Sequence, residues 1–132
     1  MSKHTPPPSQ PNQHHRCLPK GRAKLVAFEV AVELVAAIRR HRFGRGFSHL
    51  LDHLVRAAGN TALRLSEASG RTMGNRYQHL EAAFAENQEV QSALLLIRVQ
   101  GGDVPEAMLR HADRIGGLIY GLLRSEARAR GD

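Results

Sequence analysis

The chain has 132 residues, 42% of them hydrophobic and 5% aromatic, and a formal net charge of +7. A single cysteine, Cys17, excludes an intramolecular disulfide and a multi-cysteine zinc site. The sequence shows neither a signal peptide nor a run of the roughly 18 apolar residues that span a bilayer. We therefore expect a cytoplasmic protein without membrane contact. Sixteen of the nineteen basic residues are Arg, which binds phosphate bidentately, although a GC-rich genome would explain the same bias without a function.

The first 22 residues carry five of the six prolines and few apolar side chains. Because this composition cannot offset the entropy cost of ordering, residues 1–22 are predicted to form a disordered, basic tail. His4, His14 and His15 lie in this tail, but no further ligand follows at a regular spacing, so a metal site there is the least favoured alternative.

Four amphipathic helices are predicted from the spacing of apolar residues, over about 23–40, 47–69, 75–99 and 105–129. In the first helix, two apolar rows give a broad face that suits contact with more than one neighbour: Leu25, Phe28, Val32 and Val35, and Val26, Val30, Leu34 and Ile38. The helix closes on Arg39, Arg40, His41 and Arg42, where the helix dipole favours cations, and a turn is predicted at 43–46.

The second helix has the most distinct faces. Its apolar stripe consists of Phe47, Leu50, Leu51, Leu54, Ala58, Ala62 and Leu65. The opposite face carries His49, His53, Arg56, Asn60, Arg64, Glu67 and Arg71, which are expected to face water or a partner. Gly59 near the middle should lower intrinsic helicity by about 1 kcal/mol.

The last two helices are separated by the strong breaker Gly101-Gly102-Asp103-Val104-Pro105. Asn75 and Asp103 are the predicted N-caps. The inward rows are Leu80, Ala83, Phe84, Asn87, Val90, Leu94 and Ile97 in the third helix, and Met108, Ala112, Ile115, Leu118, Ile119 and Leu122 in the fourth. Asn87 is interpreted as a core amide satisfied by a neighbour or as a polar position that sets the register of packing, and a ligand contact is the less favoured alternative.

Short connections between four such helices predict an all-α, up-down-up-down antiparallel four-helix bundle over residues 23–130. Outward arginines on the second and fourth helices are then the candidate nucleic-acid-binding residues: Arg56, Arg64, Arg71, Arg110, Arg114, Arg124 and Arg128. The alternative is a protein–protein adaptor or oligomeric scaffold, in which Glu81, Glu86 and Glu89 of the acidic third helix pair with arginines of another subunit.

No catalytic or cofactor-binding pattern is found. The sequence lacks a Gly-rich phosphate loop, a His-Glu-x-x-His motif and a serine or cysteine with a recognisable base, so we expect neither an enzyme nor a cofactor. His49 and His53 are four residues apart on one face, but this spacing alone is more typical of a solvent-facing polar pair than of a metal site.

Several short segments resemble one family of small bacterial proteins: Leu25-Val26-Ala27-Phe28, Leu54-Val55-Arg56-Ala57-Ala58, Glu67, Gly70-Arg71, Ala83 and Glu89. The family comprises four-helix-bundle proteins encoded in ribosomal-RNA intervening sequences and the accessory variability protein of diversity-generating retroelements. The chain has Arg64-Leu65-Ser66-Glu67-Ala68 where the family has Asn-Ile-Ala-Glu-Gly, and Ala85-Glu86 where it favours Gly-Ser. Only Arg56, Glu67, Arg71 and Glu89 therefore carry over as matching polar positions.

The resemblance implies a four-helix protomer that assembles as a ring-shaped homopentamer with a basic surface for nucleic acid. In the retroelement branch, it implies a reverse transcriptase and its RNA template as partners.

Overall fold

In the computed structural model, which describes residues 20–70, 73–129 and 131, the chain forms four α-helices. They are α1 (Lys20–Arg40), α2 (Ser48–Ser69), α3 (Met73–Val99) and α4 (Glu106–Ala129). All four predicted helices are confirmed, each ending at the predicted residue. α1 begins three residues before its predicted start, and the rest of the predicted tail lies outside the described residues. None of the described helices is both long and apolar enough to cross a membrane.

Each helix packs against its neighbours along the chain, and α1 also packs against α4. The α2–α3 interface is the most extensive of the four, whereas the diagonal pairs, α1 with α3 and α2 with α4, hardly touch. This pattern of contacts is that of a square, antiparallel bundle and confirms the predicted up-down-up-down arrangement.

The core is built from the apolar rows that helical spacing predicts. Leu54, Leu65, Leu80 and Ile97 are fully buried, and the rows of α3 and α4 are buried as predicted except for Phe84 and Leu118, which are half-buried at the margin. In α1 the row Val30, Leu34 and Ile38 enters the core, whereas Val32 of the other predicted row is 44% exposed.

Asn87 of α3 is 1% exposed, and its Nδ2 donates a hydrogen bond of 2.9 Å to the carbonyl of Ala112 in α4. The interpretation as a core amide bonded to a neighbour is therefore confirmed for the NH2 group, whereas the buried Oδ1 accepts no hydrogen bond from the described residues.

The α1–α2 and α3–α4 loops meet at one end of the bundle. Gly44 and Gly46 adopt φ angles of 115° and 90°, which confirms the predicted turn. The third helix ends in a Schellman motif, in which the N–H of Gly102 donates to the carbonyl of Ile97 (2.8 Å) and that of Gly101 to Arg98 (3.0 Å).

The two N-cap predictions are wrong. α3 begins at Met73, so Asn75 lies inside its first turn rather than before it. α4 begins at Glu106, and the N–H groups of Met108 and Leu109 bond to the carbonyl of Pro105. Asp103 instead joins the two loops, because its N–H donates to the carbonyl of Phe43 at 2.8 Å.

Candidate functional site

The arginines of α2 lie on its solvent face, as the helical spacing predicts. Arg56 is exposed, and its Nη2 donates to Nδ1 of His53 at 2.9 Å. The side chain of Arg64 is 43% exposed and lies 3.5 Å from the carboxylate of Glu67. Since Asp52 and Glu67 balance these two arginines, the helix as a whole carries no net charge. Arg71 lies outside the described residues.

The arginines of α4 are all exposed: Arg110, Arg114, Arg124 and Arg128. The guanidinium of Arg124 stacks over the ring of Tyr120, 6.0 Å from the ring centroid. Glu106, Asp113 and Glu126 reduce the net charge of the helix to +1. The four arginines of α4 thus face outward, but the three acidic residues of the same helix balance most of their charge.

The structure does not unite the two predicted sets of arginines. α2 and α4 are diagonal in the bundle, so their outward faces point to opposite sides. A flat partner cannot contact both faces of one protomer at once. The basic surface must therefore be divided into separate patches.

The three predicted interface glutamates lie along α3. Glu81 and Glu89 are exposed, whereas Glu86 is half-buried and accepts a hydrogen bond of 3.4 Å from Nδ2 of Asn60. Two of the three carboxylates are therefore exposed at the surface of α3.

A shallow groove of about 480 Å³ runs between α2 and α3. Leu50 and Ala93 form part of its floor, and His49, His53 and Glu89 line it. The two imidazole rings pack edge to face with centroids 4.9 Å apart. Within the described part of the chain, no three His, Cys, Asp or Glu side chains are grouped to hold a metal ion.

Sequence reasoning missed an exposed apolar ridge near the end of α3. Leu95, Leu96 and Val99 are 51%, 50% and 82% exposed. They occupy one side of the last turns of the helix, and Leu96 also lines the α2–α3 groove. Large apolar side chains clustered in water are typical of a contact surface.

The predicted site also lacks a group of arginines that is the densest among the described side chains. Arg39, Arg40, Arg42 and Arg45 are all exposed, and we call the segment 39–45 the basic loop. The signal was present in the sequence as four arginines within seven residues. A favourable interaction with the helix dipole explains Arg39 and Arg40 at the end of α1, but not Arg42 and Arg45 beyond the helix.

No family model, no curated protein and no solved structure matches the chain.

Proposed function

We propose that this chain is a non-enzymatic protein that binds the phosphate backbone of RNA or DNA through exposed arginines. The observation that carries the proposal is that ten of the twelve arginines with described side chains are exposed. They are Arg39, Arg40, Arg42, Arg45, Arg56, Arg98, Arg110, Arg114, Arg124 and Arg128. The net charge of +7 means that the carboxylates of the chain do not balance its cationic side chains, which favours a polyanion as the partner.

Recognition of the backbone rather than of bases follows from the residues around the arginines. Base stacking needs exposed aromatic side chains. Among the Phe and Tyr side chains that the structure describes, Tyr120 alone is exposed, at 54%, and Arg124 lies over its ring. One isolated ring does not form a stacking platform for successive bases. Arginine forks suit phosphate oxygens, so binding should depend strongly on salt and weakly on sequence.

Fluorescence anisotropy with a labelled RNA duplex and a DNA duplex of arbitrary sequence tests the proposal. With about four phosphate contacts, affinity should fall about 100-fold between about 50 and 200 mM salt. Replacing Arg56, Arg64, Arg110 and Arg124 together by Ala should weaken binding and flatten this dependence. Replacing the exposed, neutral Gln78 and Gln88 by Ala is the matched control. Absence of binding by the wild type at low salt would refute the function.

A second candidate function is an oligomeric scaffold or adaptor. The exposed ridge of Leu95, Leu96 and Val99 favours it, because a stable monomer seldom leaves such a cluster in water. The carboxylates of Glu81 and Glu89 would then pair with arginines of a neighbouring protomer. The resemblance to ring-forming proteins supports a homopentamer, with a reverse transcriptase as a further partner in the retroelement branch.

Light scattering separates the two functions. A homopentamer should dissociate when Leu95 and Val99 are replaced by Ser, whereas replacing the exposed Leu63 of α2 by Ser should leave it intact. An oligomer that binds no nucleic acid supports the scaffold. A monomer at micromolar concentration contradicts both the scaffold and the implied ring.

A further inference from the structure

We propose that the basic loop is a preformed binding surface for the phosphate backbone of a nucleic-acid duplex. The proposal rests on the proposed function for the class of partner, and it names the part of the molecule that makes the main contacts. The arginines of α2 and α4 then add weaker contacts from other sides of the bundle.

Charge is concentrated here more than anywhere else in the described residues. The nine residues from Arg39 to Phe47 contain four arginines and no acidic residue, for a net charge of +4. By contrast, the 22 residues of α2 carry no net charge. A net charge of +4 is therefore confined to nine residues, compared with +7 for the whole chain.

The guanidiniums of the basic loop have no partners in the described part of the chain. Arg64, Arg76 and Arg98 each lie within 3.5 Å of a carboxylate, whereas the four arginines of the loop form no ion pair or hydrogen bond with described residues. No described residue therefore competes for their N–H donors, which suit the bidentate contacts that phosphate oxygens favour.

The backbone of the loop is fixed without help from the arginines. Phe43 is 3% exposed and anchors the loop in the core, and its carbonyl accepts the N–H of Asp103 at 2.8 Å. Nε2 of His41 donates to the carbonyl of Asp103 at 2.8 Å and lies 3.2 Å from its carboxylate. Gly44 and Gly46 hold the turn with positive φ angles. Because the loop has this conformation before binding, little binding free energy is spent on ordering it.

The surface continues from the loop onto α4. A groove of about 350 Å³ between α1 and α4 is lined by Arg40, Ala107 and His111, and Arg110 follows Ala107 by one helical turn. The nearby carboxylates are engaged, since Asp103 contacts His41 and Glu106 lies 3.3 Å from Arg98. Counting Asp52, Asp103 and Glu106 against Arg39, Arg40, Arg42, Arg45, Arg98 and Arg110 leaves a net charge of +3 at this end of the bundle.

The test compares two pairs of substitutions that lower the net charge equally, from +7 to +5. One variant replaces Arg42 and Arg45 by Gln. The control replaces Arg124 and Arg128 by Gln, at the opposite end of the bundle. All four residues are exposed, so both variants should fold, which circular dichroism verifies. Affinity for a labelled duplex is measured by anisotropy over a range of salt concentrations.

The loop variant should lose about two phosphate contacts, which lowers the slope of log affinity against log salt by about 1.8. The control should change that slope by less than half as much. Replacing Arg42 and Arg45 by Lys should preserve the slope while weakening affinity severalfold, because the charge remains and the fork is lost. The single substitutions Arg42→Gln and Arg45→Gln repeat the test should the pair fail to fold.

Equal losses in the loop variant and the control would overturn the proposal and leave the proposed function standing, with net charge alone driving binding. Full affinity of the loop variant would overturn it as well and would point to an acidic protein as the partner of the loop. A wild type that binds no duplex at low salt would refute both proposals.

Discussion

The buried ion pair between α3 and α4 allows a test of how much this bundle depends on one charge. Glu126 of α4 is 1% exposed, and Nη1 of Arg76 in α3 lies 3.3 and 3.4 Å from its two carboxylate oxygens. The side chain of Arg76 is 24% exposed, so the guanidinium keeps some access to water. Replacing Arg76 by Met leaves the carboxylate in the interior without this guanidinium.

The cost of the change follows from the burial of the pair. Two unit charges 3.3 Å apart attract by about 5 kcal/mol at an effective dielectric constant near 20. Desolvation offsets much of that attraction, and removing one partner of a buried pair costs about 3–5 kcal/mol. At about 4 °C per kcal/mol for a domain of this size, the melting temperature should fall by about 12–20 °C. Glu126→Gln should cost less, because the remaining guanidinium reaches water.

Equilibrium denaturation followed by circular dichroism at 222 nm measures the effect. Arg98→Met is the matched control, because Arg98 also lies 3.3 Å from a carboxylate, that of Glu106, but both side chains are about half exposed. Such a surface pair contributes about 0–1 kcal/mol. Replacing Arg76 by Met and Glu126 by Leu together should recover much of the stability. If Arg76→Met costs no more than Arg98→Met, burial does not set the strength of these pairs.

Three further predictions concern the stability of the fold and are checked by urea denaturation. Gly59→Ala should stabilise the protein by about 1 kcal/mol, since a Cβ there meets nothing within 4 Å; a loss would show a hidden clash. Gly102→Ala should destabilise it by about 1–3 kcal/mol, because the added Cβ overlaps Cγ2 of Ile97 and lies 3.0 Å from Cε2 of Phe47; unchanged stability would mean that the loop adjusts freely. Leu54→Ala should cost about 2–5 kcal/mol at this fully buried position, and a cost below 1 kcal/mol would indicate a poorly packed core.

The helices and their buried faces could be predicted because helical spacing is a local property of the sequence. The same spacing that places Ile115, Ile119 and Leu122 in the core also reaches Glu126. A sequence pattern cannot show that a buried carboxylate is acceptable there, since that depends on Arg76 in another helix. The same limit explains the wrong N-caps. The path of the loop decides which residue caps a helix, and Asp103 is held by the neighbouring loop instead.

The candidate binding surface was predicted less well than the helices. A sequence gives the number of charged residues, but not where they lie relative to one another on the folded surface. Helical spacing places the arginines of α2 and α4 outward, and this is correct for the described ones. It does not show that the two helices are diagonal, or that Asp52 and Glu67 cancel the charge of α2. The basic loop has no helical spacing to draw attention to it, although none of its arginines forms an ion pair with a described carboxylate.

At the end of the bundle where the two loops meet, the contacts that stabilise the fold do not involve the charged side chains of the basic loop. Phe43, Asp103 and the glycines hold the α1–α2 loop to the α3–α4 loop through backbone hydrogen bonds, a buried ring and positive φ angles. None of these contacts uses a guanidinium of the basic loop. The fold therefore does not require arginine at positions 42 and 45, and these side chains can be exchanged without disturbing the core. The arginines of the basic loop do not stabilise the fold, yet they extend from a backbone that the fold holds in place. This combination suits the proposed binding of a polyanion.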